Sequence, residues 1–140
     1  MQLLPEHGSC FVCGTENPHS IGIRWYAEED GSIYGKVTLT ECQQGPPGLS
    51  HGGATTALLD EAMGAAIWYA GHRVAAVNLN VDFLHPVPLG VEIEVTARIL
   101  EREEKVVRAQ GQLRLPDGEL AVSGLGIFVE APQLFTRLFE

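Results

Sequence analysis

The chain has 140 residues, of which 45% are apolar, and its formal net charge is −9, with 18 acidic residues against 9 basic ones. This composition predicts one folded domain over residues 1–140 and excludes a largely disordered chain. The acidic balance argues against nucleic-acid binding, and no apolar run reaches the roughly 18 residues that span a bilayer. We expect a cytoplasmic protein, because residues 1–10 lack the basic start and apolar stretch of a signal peptide.

The first third of the chain reads as loop followed by a hairpin. Residues 1–20 are predicted to form an N-terminal loop segment that carries a Cys-x-x-Cys motif. Residues 21–26 alternate apolar and polar side chains and predict a strand, and residues 33–40 predict the returning strand after the Asp30-Gly31 turn. Residues 43–48 (QQGPPG) are expected to be irregular.

The middle and the end of the chain predict one long helix and then a sheet. Residues 53–70 are apolar almost all round, which is typical of a buried helix. Strands are predicted over residues 74–84, 91–100, 106–115 and 120–130, the last three as sequential antiparallel neighbours, and a short helix over residues 133–139. This order predicts an α+β fold, in which a curved antiparallel sheet of five to six strands wraps one central helix.

Asp60 stands out because it lies in the middle of the apolar helix. Its neighbours one turn away are Thr56, Ala57, Met63 and Gly64, so no cation on the same helix compensates its charge. Burial of an unpaired carboxylate costs several kcal/mol and raises its pKa towards the range of a general base. The alternative is a structural hydrogen bond, to Thr56 or to a strand. Glu61 points about 100° away around the helix and is predicted to be a rim or interface residue.

The helix opens on the turn Ser50-His51-Gly52-Gly53. Two glycines let a ligand approach backbone N–H groups at the positive end of the helix, which are the parts of an oxyanion site, although such turns are more often merely structural. Gly52 and Asp60 are eight residues apart, roughly 12 Å along a helix, too far to act on one carbonyl. If Asp60 is catalytic, two antiparallel helices of a homodimer must combine Gly52 of one chain with Asp60 of the other.

Cys10 and Cys13 have the spacing of a zinc knuckle, with His7 and His19 nearby. A second Cys-x-x-Cys is missing, so the sequence predicts no metal, with Cys10 and Cys13 as the candidate ligands if one is bound. No other cofactor is expected.

Three segments resemble the hot-dog thioesterases, above all those of the phenylacetate-degradation type and the mitochondrial thioesterase-superfamily members. They are residues 45–54 (GPPGLSHGGA) with Asp60 nine residues after His51, residues 78–90 (NLNVDFLHPVPLG), and residues 10–14 (CFVCG) with Asn17-Pro18. The resemblance covers about residues 10–130. It implies a hot-dog fold that works as a dimer or a dimer of dimers and hydrolyses an acyl-CoA thioester, with CoA entering as part of the substrate.

The resemblance also implies roles for residues. The Gly52 amide would polarise the thioester carbonyl, His51 or Gly53 would shape the turn, and Asp60 of the partner would activate water or attack directly. Asn78, Asn80, Arg102 and Arg108 are the candidate contacts to CoA. The chain has Gly45 where related enzymes often have Asn, and Ala75 and Ala76 where many have Ser or Thr. We expect one of three outcomes: Asn78 or Thr56 takes over the missing role, the activity is low, or the natural substrate differs.

Two other functions fit the same fold. One is a non-catalytic acyl-CoA-binding protein. The other is a hydratase or dehydratase, because Asn17-Pro18-His19 is similar to part of the signature of that branch.

Overall fold

The computed structural model describes residues 1–135 and contains one α-helix and seven strands. The helix α1 is Gly52–Tyr69. The strands are β1 Gln2–Leu3, β2 Tyr26–Ala27, β3 Ile33–Thr38, β4 Val74–Phe83, β5 Glu92–Glu103, β6 Val106–Arg114 and β7 Leu120–Glu130. Two 3-10 turns are Glu41–Gln43 and Pro132–Leu134.

The strands form a single antiparallel sheet in the order β1-β2-β3-β5-β6-β7-β4. The α+β hot-dog architecture and the sequential pairing of β5, β6 and β7 are confirmed. The expected count of five to six strands was too low, because β1 lies within the segment predicted as loop. It is a two-residue strand, and so short a pairing leaves no alternation in the sequence.

The strand predicted over residues 21–26 is reduced to β2. The amide of Ile21 donates to the Phe11 carbonyl, and that of Gly22 donates to Val12, so this stretch bonds to the N-terminal loop and not to a ladder. The predicted terminal helix is only the Pro132–Leu134 turn as far as residue 135. Residues 136–140 lie outside the described part of the chain.

Helix α1 is buried against the concave face of the sheet. Leu58, Leu59, Met63 and Ile67 are fully buried, and each such side chain contributes about 1.5–3 kcal/mol relative to its exposed state. Strand β7 carries Gly126 beneath the helix. A Cβ on Gly126 would stand 3.1 Å from the Met63 sulfur. Within residues 1–135, no helix is long and apolar enough to cross a bilayer.

Strand β4 lies at the edge of the sheet and pairs with β7 on one side. Its register is interrupted by a bulge between Ala76 and Asn78. Apolar side chains are nevertheless exposed along it, including Val77 at 57% and Phe83 at 58%. This edge is therefore an apolar strand of ten residues with unpaired backbone groups, which native proteins usually cover.

Candidate active site

The N-terminus of α1 leaves one backbone donor free. His51 is the N-cap residue, and its Nδ1 accepts a hydrogen bond from the Gly53 amide at 2.8 Å. The amides of Ala54 and Thr55 both donate to the His51 carbonyl. Within residues 1–135, the Gly52 amide donates to no protein group. Since the helix N-terminus is electropositive, this N–H is a ready donor to an anionic oxygen.

A cleft of about 330 Å³ adjoins Gly52. Its polar lining comes from Ser50, Gly52, Thr55 and His85, and its apolar lining includes Phe83. The Phe83 ring lies so close that a Cβ on Gly52 would stand 3.2 Å from its Cε1. Glycine at this position therefore allows the ring and the free amide to share one small space.

Ser50 is a site residue that sequence reasoning missed. Its hydroxyl is buried at the cleft and has no hydrogen-bond partner within the described chain. A buried hydroxyl without a partner is unusual. The one signal in the sequence was its position beside His51. Thr55 also lines the cleft, but its hydroxyl donates to the Gly52 carbonyl at 3.0 Å.

Asp60 is half-buried on α1, and its carboxylate makes no hydrogen bond or ion pair with any residue from 1 to 135. The structural alternative, a bond to Thr56 or to a strand, is therefore not what the structure shows. Burial, and after it the neighbouring Glu61 carboxylate, raises the pKa of Asp60 above its ordinary value. An unpaired carboxylate with a raised pKa has the properties of a general base.

Asp60 does not line the cleft beside Gly52. The two residues stand near the start and the middle of an 18-residue helix, and a rise of about 1.5 Å per residue keeps them apart. Within the described part of the chain, this cleft is thus lined by a free backbone amide but by no carboxylate. Among the polar side chains that line the cleft, His85 is paired with Glu119 through an Nε2–Oε1 distance of 2.8 Å.

Gly45 packs directly against the turn that opens the helix. A Cβ on Gly45 would stand 3.0 Å from the His51 Cα, so the turn must shift to admit any side chain there. Gly45 also donates its amide to the Leu49 carbonyl and closes the loop. Glycine at position 45 therefore allows this loop to pack closely against His51.

The remaining predicted residues lie on the sheet, except Thr56, which lies on α1 and whose side chain makes no hydrogen bond to any residue from 1 to 135. Asn78 and Asn80 are exposed on β4. They alternate with Leu79 and Val81, the residues that lie near the helix, and so they face away from it. Arg102 pairs with Glu130 at 3.2 Å, and Arg108 pairs with Glu101 at 2.7 Å, both on the surface. The structure does not bring these side chains to the cleft.

The N-terminal segment contacts α1 through Glu61. Its Oε2 accepts a hydrogen bond from Trp25 Nε1 at 2.6 Å, and its Oε1 accepts one from the Cys10 thiol at 2.8 Å. Glu61, predicted to be a rim or interface residue, is half-buried and covered by a loop that is distant in sequence. His19 is exposed in a turn where its amide bonds to Asn17, and Cys42 is exposed as well.

One long helix packed on a single curved antiparallel sheet is the architecture of the hot-dog class of proteins. Residues 47–122 match the thioesterase superfamily (4HBT). The chain belongs to this superfamily, as residues 45–54 led us to expect.

Known proteins share both sequence and fold with the chain. The acyl-coenzyme A thioesterase THEM4 of Xenopus laevis is 32% identical over 95 residues, 68% of this chain and 40% of THEM4. The chain therefore spans less than half the length of this relative. The thioesterase superfamily protein RHA08564 has a TM-score of 0.83 and 33% identity, covering 86% of this chain and 62% of that one. PaaI of E. coli, from the phenylacetic acid degradation operon, has a TM-score of 0.74 and 20% identity, covering 79% and 80%.

Proposed function

We propose that the protein is an acyl-CoA thioesterase that acts as a homodimer. In each of its two sites, the Gly52 amide of one chain would bind the thioester carbonyl, and Asp60 of the other would supply the carboxylate. The observation that carries this proposal is the pairing of a free helix N-terminal amide with an unpaired, half-buried carboxylate on the same helix. The relationship to acyl-CoA thioesterases supports the choice of substrate.

The exposed edge strand β4 supports the proposal of a homodimer. A two-fold contact along β4 would pair its free backbone groups with those of the same strand in the partner and cover Val77 and Phe83. Such a contact extends one antiparallel sheet across both chains. It also sets the two helices side by side in opposite directions, as the separation of Gly52 from Asp60 requires.

The chemistry needs few groups because a thiolate is a good leaving group. The Gly52 N–H stabilises the negative charge that forms on the carbonyl oxygen. In one route Asp60 removes a proton from water, the hydroxide attacks the carbonyl carbon, the C–S bond breaks and the CoA thiolate takes up the proton. In the other, Asp60 attacks the carbon itself, the C–S bond breaks and the CoA thiolate leaves; water then hydrolyses the resulting anhydride to the acid and free Asp60 and supplies the proton of the thiol. The Ser50 hydroxyl stands beside Gly52 as a further donor.

The first test compares wild type with Asp60→Asn on short, medium, long and aromatic acyl-CoA substrates, with a thiol reagent to follow free CoA. We expect the variant to lose about a hundredfold or more in turnover, and Glu29→Gln, an exposed acid in a turn, to match wild type. Equal, slow hydrolysis by wild type and Asp60→Asn would leave an acyl-CoA-binding protein without catalysis. Repeated turnover in ¹⁸O-water, followed by mass spectrometry of the protein, separates the two routes, since label enters Asp60 only when water hydrolyses the anhydride at its Asp60 carbonyl.

A mixing experiment tests the shared site. Gly52→Pro removes the amide hydrogen at the first helical position, which proline tolerates. Co-refolding equal amounts of Gly52→Pro and Asp60→Asn chains gives mixed dimers with one intact site and one doubly damaged site. We expect about a quarter of wild-type activity from two nearly inactive parents. No recovery, in samples shown by mass spectrometry to contain mixed dimers, would place the site within one chain.

A further inference from the structure

We propose that His7, Cys10, Cys13 and Glu61 form a binding site for a structural Zn²⁺ ion that fastens the N-terminal segment to helix α1. One potential ligand atom from each of the four residues lies within 4.8 Å of the other three. Three of the residues come from the N-terminal loop, and Glu61 comes from the helix. This proposal does not depend on the proposed thioesterase activity.

The ligand types select zinc among the common cations. Two sulfurs, an imidazole and a carboxylate are all groups that bind Zn²⁺, whereas Mg²⁺ and Ca²⁺ prefer oxygen ligands alone. Four ligands complete the tetrahedral shell of a structural site. In that geometry neighbouring ligand atoms lie about 3.3–3.8 Å apart, so the ligand atoms need to approach one another by about 1.5 Å or less.

The loop already has the shape that two such ligands need. The Val12 amide donates to the Cys10 sulfur at 3.3 Å and so fixes the position of that sulfur within the loop. The Gly14 amide donates to the Cys10 carbonyl at 2.9 Å and closes the turn. A Cβ on Gly14 would stand 2.3 Å from the Gly8 carbonyl oxygen, so the turn permits glycine alone at this position.

Glu61 is oriented by a second contact. Trp25 is buried and donates its indole N–H to Oε2 at 2.6 Å, which leaves Oε1 directed at Cys10. Hydrogen bonds of this kind commonly hold the ligands of a metal site in place. The His7 ring packs on Trp68 with a centroid distance of 5.5 Å, which places a third ligand against the helix.

Without a cation, the Cys10 thiol donates to Glu61 and the cluster is a hydrogen-bonded network. Binding of Zn²⁺ would release the protons of Cys10 and Cys13 to solvent, and both sulfurs and Glu61 Oε1 would then bind the ion. Because Glu61 follows Asp60 directly in the helix, the ion would also fix the stretch of α1 that holds the catalytic carboxylate.

The test uses the full chain, expressed in zinc-supplemented medium and separated from loosely bound metal by gel filtration. We expect about one zinc per chain by atomic emission, and about three free thiols with a thiol reagent only after a strong chelator is added. Co²⁺ added to the stripped protein should give the intense visible bands of tetrahedral coordination and a sulfur-to-cobalt charge-transfer band. Cys13→Ser and Glu61→Gln should bind Co²⁺ at least tenfold more weakly, and Cys42→Ser, outside the cluster, should match wild type.

Either of two results would overturn the proposal. The first is wild-type protein that holds less than about a tenth of an equivalent of zinc and gives Co²⁺ spectra like those of the free ion. The second is a Cys10–Cys13 disulfide in freshly prepared protein, detected by mass spectrometry. Should Cys13→Ser not fold, the Co²⁺ affinity of folded Glu61→Gln decides, because unchanged affinity would remove the helix from the site.

Discussion

The imidazole of His51 accepts a hydrogen bond from the Gly53 amide at 2.8 Å, two residues along the chain, while the preceding amide, that of Gly52, has no partner among residues 1–135. One side chain thus both caps the helix and determines which N–H remains available. The capping contact is short and local, and it can be replaced by other residues that accept a hydrogen bond at an N-cap.

Replacement of His51 should show whether this residue acts only as the N-cap of α1 or also takes part in the reaction. We expect His51→Ala to destabilise the fold by about 1 kcal/mol, the usual cost of a lost N-cap, and His51→Asn to recover most of that loss. Because the cap holds the turn in shape, thioesterase activity should follow the same order. Thermal unfolding and kcat/KM for the three proteins check this. If His51→Asn folds like wild type but has no activity, the imidazole itself takes part in the reaction.

Two substitutions at Gly52 isolate the amide hydrogen. Gly52→Ala and Gly52→Pro both place a carbon against the Phe83 ring, but the proline also removes the N–H. We expect Gly52→Pro to lose about a hundredfold more kcat than Gly52→Ala, the usual effect of removing an oxyanion donor. Circular dichroism controls for folding. Equal kcat values in the two variants would show that the amide hydrogen contributes nothing.

Asp60→Asn should stabilise the protein while it removes activity. The carboxylate is half-buried and has no partner among residues 1–135, so the neutral amide should be better tolerated in the same place. For a chain of this size a gain of about 1 kcal/mol raises Tm by a few degrees. Scanning calorimetry at neutral pH, with Glu29→Gln as the control, measures it. A lower Tm would reveal a stabilising contact of Asp60 that the single chain does not contain.

A charge on the edge strand should separate the dimer. Val77 is an exposed residue at the bulge of β4, and an aspartate there would bury a charge in the proposed contact between two copies. We expect Val77→Asp to be monomeric by light scattering and to lose activity. Glu28→Gln serves as the control, because Glu28 follows β2, which lies near the opposite edge of the sheet from β4. A fully active monomer would contradict the shared site.

Trp25→Phe tests the contact between the N-terminal segment and α1. The change keeps most of the buried ring but removes the donor to Glu61 Oε2. Leaving a partly buried carboxylate oxygen unsatisfied should cost about 1–3 kcal/mol. Tyr69→Phe removes an exposed hydroxyl contact to Gln2 and should cost much less. Denaturant unfolding of both variants makes the comparison, and equal midpoints would show that the Trp25 bond is not needed.

Much of the fold was predictable because its signals are local. The apolar run of α1 placed the helix to within one residue at each end, and β7 was found with the bounds that its pattern predicted. Asp60 was noticeable for the same reason, since a charge in an apolar helix is visible without any knowledge of its surroundings. The Gly52-Gly53 turn likewise predicted a helix start.

The errors arose where the partner is far along the chain. The helical period predicted the direction in which Glu61 points. It could not predict the loop that covers this side chain, because the contacting residues Trp25 and Cys10 are 36 and 51 residues away in sequence. For the same reason, Glu61 was not predicted to join the cluster of His7, Cys10 and Cys13. Ser50 was missed because whether a hydroxyl lacks a partner depends on the finished tertiary structure.

The position of β4 has a consequence for the synthesis of the chain. Val74–Phe83 pairs with Leu120–Glu130, the last strand of the sheet. On a ribosome, β4 emerges well before its partner strand β7, so β4 stays unpaired until Glu130 has left the exit tunnel. Throughout that interval the nascent chain presents an unpaired strand rich in aliphatic side chains, the kind of segment that chaperones bind and that aggregates at high expression.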